Sequence, residues 1–200
     1  MKLSKILGVA AFAALALMAF ASTASAETTL ETNGTEKPSE AVTLETTLTS
    51  SATLESTSGV FSNTCSTSTV SGTTESDGEG AKFTGPKVSG NVSALSFSNC
   101  THSPVVVNSR GSLSVERIGT TTNGTVKSSG ASVTVPVTVF GSVVSTTCTT
   151  TATDIGTLNG TASGASSITL NAILTCSGVL PSARWTGTYT VTGHSIGVVS

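Results

Sequence analysis

Residues that could carry out acid–base chemistry are few in this chain and lie far apart in its sequence. The only histidines are His102 and His194, and the only acidic residues after residue 80 are Glu116 and Asp154. Serine is abundant, but we assign no Gly-x-Ser-x-Gly nucleophile elbow of the kind that hydrolases use. Each histidine is interpreted as a solvated loop residue. The chain is therefore predicted to be non-catalytic and to need no cofactor, and a secreted hydrolase is the least favoured alternative.

The acidic segment ESDGEG, residues 75–80, is the one weak candidate for a metal site. Glu75, Asp77 and Glu79 offer the hard oxygen ligands that suit calcium. However, the segment lacks the spacing of an EF-hand loop, which ends on a glutamate at its twelfth position. The favoured interpretation is a hairpin turn kept soluble by its charges. No Cys-x-x-Cys pair occurs, which argues against zinc.

Two large aromatic residues, Trp185 and Tyr189, lie close together in the segment RWTGTYTV. On a β-strand they share one face with Val191, because successive side chains alternate between the two faces. We expect this face to pack into the core of the protein. The alternative is a platform for a sugar or an apolar ligand.

The cysteines mark an internal repeat. The segments VFSNTC and VVSTTC both place two apolar residues at the fifth and fourth positions before a cysteine. GSLSV begins eleven residues after Cys100, and GTYTV begins eleven residues after Cys176. These shared offsets predict a duplication, with pseudo-repeats at about 53–118 and 132–193.

The repeat also favours one pattern of disulfides. Four cysteines allow three connectivities, and a duplication favours Cys65–Cys100 with Cys148–Cys176, one bond in each unit. An even number of cysteines in an exported chain is more typical of disulfides than of free thiols. Two such bonds would support a core that has few large apolar side chains, since only 4% of the residues are aromatic.

The position of Cys100 departs from strand alternation. Leu95 and Phe97 lie on the opposite face from this cysteine if the strand is regular. A β-bulge near Ser98 and Asn99 would return the cysteine to the inward face, and we predict one there.

The chain after residue 40 has the pattern of β-strands, with Thr, Ser and Val alternating at period two. SVTVPVTV, residues 132–139, places four valines on one face, and Pro136 lacks an N–H, which predicts a sheet edge. ITLNAILTC, residues 168–176, has a similar apolar face. The predicted fold class is all-β: an antiparallel β-sandwich or barrel-like domain over residues 41–200, built from two related disulfide-closed units.

The N-terminal residues 1–26 have the layout of a secretory signal peptide, with two lysines, an apolar run and an Ala-Ser-Ala cleavage site. Residues 27–40 are polar and acidic and are predicted to form a disordered linker. Cleavage would leave seven basic and eleven acidic residues, a net charge of −4, without a basic cluster. Nucleic acid is therefore not an expected partner, and no membrane span is expected once the signal peptide is cleaved.

The chain resembles a loose group of uncharacterised secreted actinobacterial proteins that are rich in Ser and Thr and have paired cysteines. The features that carry the resemblance are the signal peptide, TCSTSTVSG and the later SNCT. CSTSTVSGTTESDGEGAKFTGPKVSG, from Cys65 to Gly90, is also similar to part of the secreted activators of alkane oxidation of the PraB type. Both resemblances imply an extracellular, non-catalytic β protein and transfer no active-site residue.

The expected function is a secreted, non-catalytic structural or adhesive role outside the cell or at its surface. The alternative is a binding module for a hydrophobic or carbohydrate ligand near Trp185 and Tyr189. The partners that fit these expectations are a cell surface, a polysaccharide or a hydrophobic ligand.

Overall fold

The computed structural model describes residues 28–36, 40–75 and 87–199, and within these ranges it contains strands but no helix. The predicted fold class is confirmed, because the strands form an eight-stranded antiparallel barrel with a three-stranded sheet beside it. Thr, Ser and Val fill most strand positions, and Thr and Val are β-branched residues, which fit a pleated sheet. The strands are β1 (Thr29–Thr32), β2 (Thr35–Glu36), β3 (Thr43–Leu48), β4 (Ala52–Ser56), β5 (Ser62–Thr74), β6 (Lys87–Cys100), β7 (Val106–Ser109), β8 (Ser112–Arg117), β9 (Gly124–Ser129), β10 (Ser132–Val139), β11 (Ser142–Thr149), β12 (Thr153–Asn159), β13 (Ser167–Gly178), β14 (Ser182–Thr192) and β15 (Ile196–Val199).

One half of the barrel is a closed ring of strands. Its order is β13, β12, β9, β8, β6, β5, β3 and β14, and β14 pairs again with β13. Side chains alternate between the inside and the outside of this ring. The inward side chains form the core, in which Val126, Leu158, Leu170 and Tyr189 are at most 5% exposed.

The other half of the barrel is open on one side. The strand order here is β13, β11, β10 and β7, where the closed half has β13, β12, β9 and β8. On the other side of β14, β4 lies between β14 and β5, as β3 does in the closed half. β6 pairs with β5 as far as Cys100, but with β8 only from Lys87 to Asn91. Among the described residues, no strand pairs with the rest of that edge of β6, and β7 pairs only with β10. We call the resulting gap the β6–β7 slit.

Two strands have the inward faces that their sequence periods predict. In β10, Val135 and Val137 are 4% and 1% exposed, and in β13 Leu170 and Leu174 are also buried while Ile173 points outward. β7 pairs only with the first residues of β10. The edge of β10 opposite β11 is therefore unpaired at its proline, as predicted, although β7 rather than β10 is the outermost strand.

Both disulfides that the repeat favours are present, and both lie in the half of the barrel that has the slit. Cys65–Cys100 joins β5 to β6, and Cys148–Cys176 joins β11 to β13. GSLSV leads into β8 beside β6, and GTYTV lies in β14 beside β13. Each segment therefore adjoins the strand of a second cysteine, which agrees with a duplication, but the duplication itself stays a prediction.

The β-bulge predicted beside Asn99 is absent, because the register between β5 and β6 does not change there. Both strands instead change face at the same level. On β5, Cys65 and Ser68 are both buried although three positions separate them, and on β6 Asn99 has a left-handed φ of 52°. Paired irregularities of this kind turn both strands and leave their register intact. The register shift lies farther along β5, between Ser71 and Gly72.

The disordered linker predicted for residues 27–40 is wrong for residues 28–36. These residues form β1 and β2, and β1 pairs with β15 near the other end of the chain. Leu30 is 3% exposed and belongs to the core cluster. The polar composition of this segment does not indicate a strand, because β15, the strand that pairs with β1, is remote in sequence.

The predicted signal peptide, residues 1–26, lies outside the described residues. In the part of the chain that the structure describes, no helix has the length and apolar character needed to cross a bilayer.

Candidate functional site

The interior of the barrel contains an apolar cavity of about 180 Å³. An eight-stranded barrel is wide enough either to be filled by its own side chains or to hold one small ligand. Here many inward side chains are small, among them Ala52 and several valines, so the interior is not filled. The cavity reaches the β6–β7 slit, because Phe97 on one side of the slit and Val105 on the other both line it. The wall of the cavity therefore includes the strand edges that are left unpaired at the slit.

Trp185 lines this cavity and does not face outward. In strand register it lies between Leu54 on β4 and Ala172 on β13, and both of these are buried. Its indole ring makes an edge-to-face contact with Phe97, with ring centroids 6.1 Å apart. Trp185 itself is only half-buried. The aromatic pair therefore forms a wall of the cavity beside the slit.

Tyr189 lines the same cavity from deeper in the barrel and is 2% exposed. Its hydroxyl donates a hydrogen bond to Ser68 Oγ at 3.0 Å, and Ser68 Oγ donates to the Ser96 carbonyl at 2.8 Å. Burial raises the pKa of the Tyr189 hydroxyl above its ordinary value, and the bond to Ser68 offsets this only in part. The predicted sharing of a face by Trp185 and Tyr189 is thus present, and that face points inward.

The folded protein is expected to resist ionisation of Tyr189. The unfolded chain ionises near the ordinary pKa of 10.0, whereas the folded chain holds its proton to higher pH. The stability from this residue is therefore fully present below pH 10.0 and is lost as pH rises from there through the raised pKa. Tyr189 is the only tyrosine, so tyrosinate absorbance during an alkaline titration reports it alone. Ionisation at the ordinary pKa with the fold intact would contradict its burial, and Tyr189→Phe is the control for the pH dependence of unfolding.

Asn63 reaches from β5 toward the slit, and its structural role there is not predicted from the sequence. It is 2% exposed, and its Nδ2 donates to the carbonyls of His102 and Pro136 at 2.8 and 3.1 Å. Its Oδ1 accepts the N–H of His102 at 3.1 Å. The side chain therefore ties β5, the loop after β6 and β10 together at the disulfide end of the slit.

The acidic and histidine residues considered for catalysis are not brought together. Glu116 and Asp154 lie 2.8 and 3.8 Å from Lys127 Nζ on the surface. The hydrogen bond and charge of Glu116, followed by the charge of Asp154, raise the pKa of Lys127. His102 Nε2 lies 3.4 Å from a threonine hydroxyl, and His194 Nδ1 lies 3.3 Å from an asparagine amide. Neither of these two contacts is with a carboxylate.

One Gly-x-Ser-x-Gly match does occur, at residues 193–197, which corrects the motif assignment made from the sequence. A nucleophile elbow needs a strand, a sharp turn and then a helix, whereas here Ser195 precedes the short strand β15. Ser195 is 5% exposed, and its hydroxyl donates to the Ala162 carbonyl at 3.0 Å. This serine is therefore engaged in holding loops together.

The weak calcium candidate is only partly within the described residues. Glu75 follows β5, while Asp77 and Glu79 lie outside the described ranges. Within those ranges no group of three or more His, Cys, Asp or Glu side chains could hold a metal ion.

Comparison with known proteins identifies no matching family model, no matching curated protein and no matching solved structure.

Proposed function

We propose that this protein is a non-catalytic, extracellular binding module that takes up a small apolar molecule in its barrel. The observation that carries the proposal is the cavity of about 180 Å³, whose walls are almost wholly apolar. A cavity of about 150 Å³ with such walls stays dry and can hold a benzene-sized molecule. The two disulfides agree with an oxidising, extracellular setting.

The slit gives this cavity an entrance, which a purely structural barrel would not need. Leu95, Phe97, Val105 and Val133 are half-buried around it. Partly exposed apolar side chains at an opening favour entry of an apolar molecule, because its binding removes their surface from water. The apolar lining favours a hydrophobic ligand over a carbohydrate, since the ring hydroxyls of a sugar would need buried polar partners.

The structural or adhesive role expected from the sequence remains a second proposal. The feature that favours it is Phe140, which is 101% exposed at the tip of the hairpin between β10 and β11. An exposed aromatic ring at a hairpin tip suits contact with another surface. A single exposed apolar residue is nevertheless a smaller feature than the cavity.

Trp185 fluorescence tests the binding proposal directly, since it is the only tryptophan and lines the cavity. We expect 1-octanol and toluene to change its emission with a saturable dependence on concentration, and calorimetry to give the same affinity. Val133→Phe narrows the cavity and should weaken binding at least about tenfold. Ile173→Phe is the matched control, because Ile173 is 47% exposed on the outside of the barrel.

Circular dichroism establishes that each variant is folded. Leu95→Phe, on the opposite side of the slit, is a second blocking variant if Val133→Phe does not fold. An emission that does not respond to either molecule, together with no heat of binding, would overturn the proposed function.

A further inference from the structure

Among the described residues that line the cavity, Arg110 alone is charged. Its side chain is exposed, so water can solvate the charge of its guanidinium. It forms no hydrogen bond or ion pair with the residues that the structure describes, whereas the other arginines in β8 and β14 each donate to an oxygen atom. Arg110 is therefore an unpaired cation, within the described ranges, at the edge of a cavity whose other described lining residues are uncharged.

The backbone around Arg110 is fixed by close packing. The next residue, Gly111, has a φ of 68°, and a Cβ built there would overlap the Ser129 carbonyl oxygen and the Ala131 nitrogen. Only glycine adopts this conformation at such close approach without strain. The Gly111 carbonyl also accepts the N–H of Val92 at 3.2 Å, where β6 begins to separate from β8. Arg110 is thus held at the end of the slit opposite Asn63.

We infer that the ligand is an amphiphile with a single carboxylate, whose apolar tail occupies the cavity and whose head group pairs with Arg110. This inference rests on the proposed function. A planar guanidinium donates two parallel hydrogen bonds to a carboxylate. The part of the chain that the structure describes places no Asp or Glu in the cavity wall to compete for the arginine. One cation matches one singly charged head group, and the small volume favours a short or medium-length chain.

The experiment compares octanoate with 1-octanol, which have tails of the same length and differ in the charge of the head group. Binding is measured by Trp185 fluorescence and calorimetry with the wild-type protein, Arg110→Gln and Arg110→Lys. We expect Arg110→Gln to weaken octanoate binding about tenfold and to leave octanol binding unchanged. Arg110→Lys should fall between them, since it keeps the charge but loses the planar fork. Added salt should weaken octanoate binding alone.

Arg184→Gln is the control, because Arg184 is an exposed arginine that bonds to Asn171 on the outer surface. Equal effects of the two arginine substitutions would mean that only overall charge matters and would overturn the inference. Unchanged octanoate affinity in Arg110→Gln, or binding of octanol without octanoate, would also overturn it and leave the proposed function intact. If neither molecule binds but toluene does, the inference is wrong and the proposed function stands; if toluene also fails to bind, the proposed function itself is wrong.

Discussion

Removing the Cys148–Cys176 disulfide with the double substitution Cys148→Ala and Cys176→Ala is expected to lower the free energy of unfolding by about 3–4 kcal/mol. The bond closes a sequence separation of 28 residues, and the estimate is the loop-closure entropy that returns to the unfolded chain when it is cut. A loss of this size should lower the midpoint of thermal unfolding by about 6–15 °C. Calorimetric or chemical unfolding of the oxidised protein and the variant measures both quantities.

The matched control is Thr149→Ala with Thr175→Ala. These threonines are the next register partners on the same two strands and are exposed, so the control shortens a neighbouring pair without cutting a crosslink. We expect it to cost less than about 1 kcal/mol, as surface substitutions usually do. A loss in the cysteine variant no larger than in this control would show that the strand pairing of β11 and β13 does not depend on the bond.

The disulfides matter here because the half of the barrel that contains them lacks one line of strand pairing. A closed ring of strands is held by hydrogen bonds at every edge, whereas β6 and β7 have none between them among the described residues. Cys65–Cys100 anchors β6 to β5 on the other side of the slit. The covalent links therefore allow an opening to exist without separation of the strands that surround it.

Features with a short-range signal could be predicted from the sequence. The inward faces of β10 and β13 follow from period-two alternation, which is local, and so does the shared face of Trp185 and Tyr189. The disulfide pairing follows from the repeated offsets around the cysteines. β1 could not be predicted in this way, because its burial depends on β15 near the far end of the chain.

The slit and its polar residues depend on pairings that the sequence does not reveal. Whether β6 lies beside β7 or β8 at a given level is set by strand tilt and register around the whole barrel. Arg110 lies between β7 and β8, in a Ser-Arg-Gly segment that by sequence alone indicates only a loop. Phe97 shares an apolar strand face with Leu95, but no local feature of the sequence indicates that its ring contacts Trp185. The cavity is thus a property of the closure of the barrel and not of any one segment.

Substitution of Asn63 is expected to be the most damaging single change at the slit. Asn63→Ala removes three hydrogen bonds in a position that is 2% exposed, and it leaves the His102 N–H and two carbonyls without this partner. The bond to the Pro136 carbonyl is fully buried and the two to His102 are partly buried, and a buried polar group left unsatisfied costs about 1–3 kcal/mol. We therefore expect a loss of about 3 kcal/mol or more in the free energy of unfolding, measured by chemical denaturation at neutral pH.

The variant Asn63→Asp keeps the shape of the side chain and changes its hydrogen bonding, so it tests the hydrogen bonds without creating a cavity. The introduced carboxylate could still accept the His102 N–H, but it would face the carbonyl oxygens of His102 and Pro136 in place of the amide donor. Burial and these oxygens raise the pKa of the new carboxyl group. The destabilisation is therefore fully present above that raised pKa and shrinks as pH falls through it, because the protonated group can again donate.

Asn171→Asp is the control. Asn171 is exposed and its Oδ1 accepts from Arg184 Nη1 at 2.9 Å, so a negative charge there should not destabilise the fold. A loss in Asn63→Asp that is small at neutral pH, or that does not diminish in acid, would show that this side chain does not hold β5 to β10 across the end of the slit.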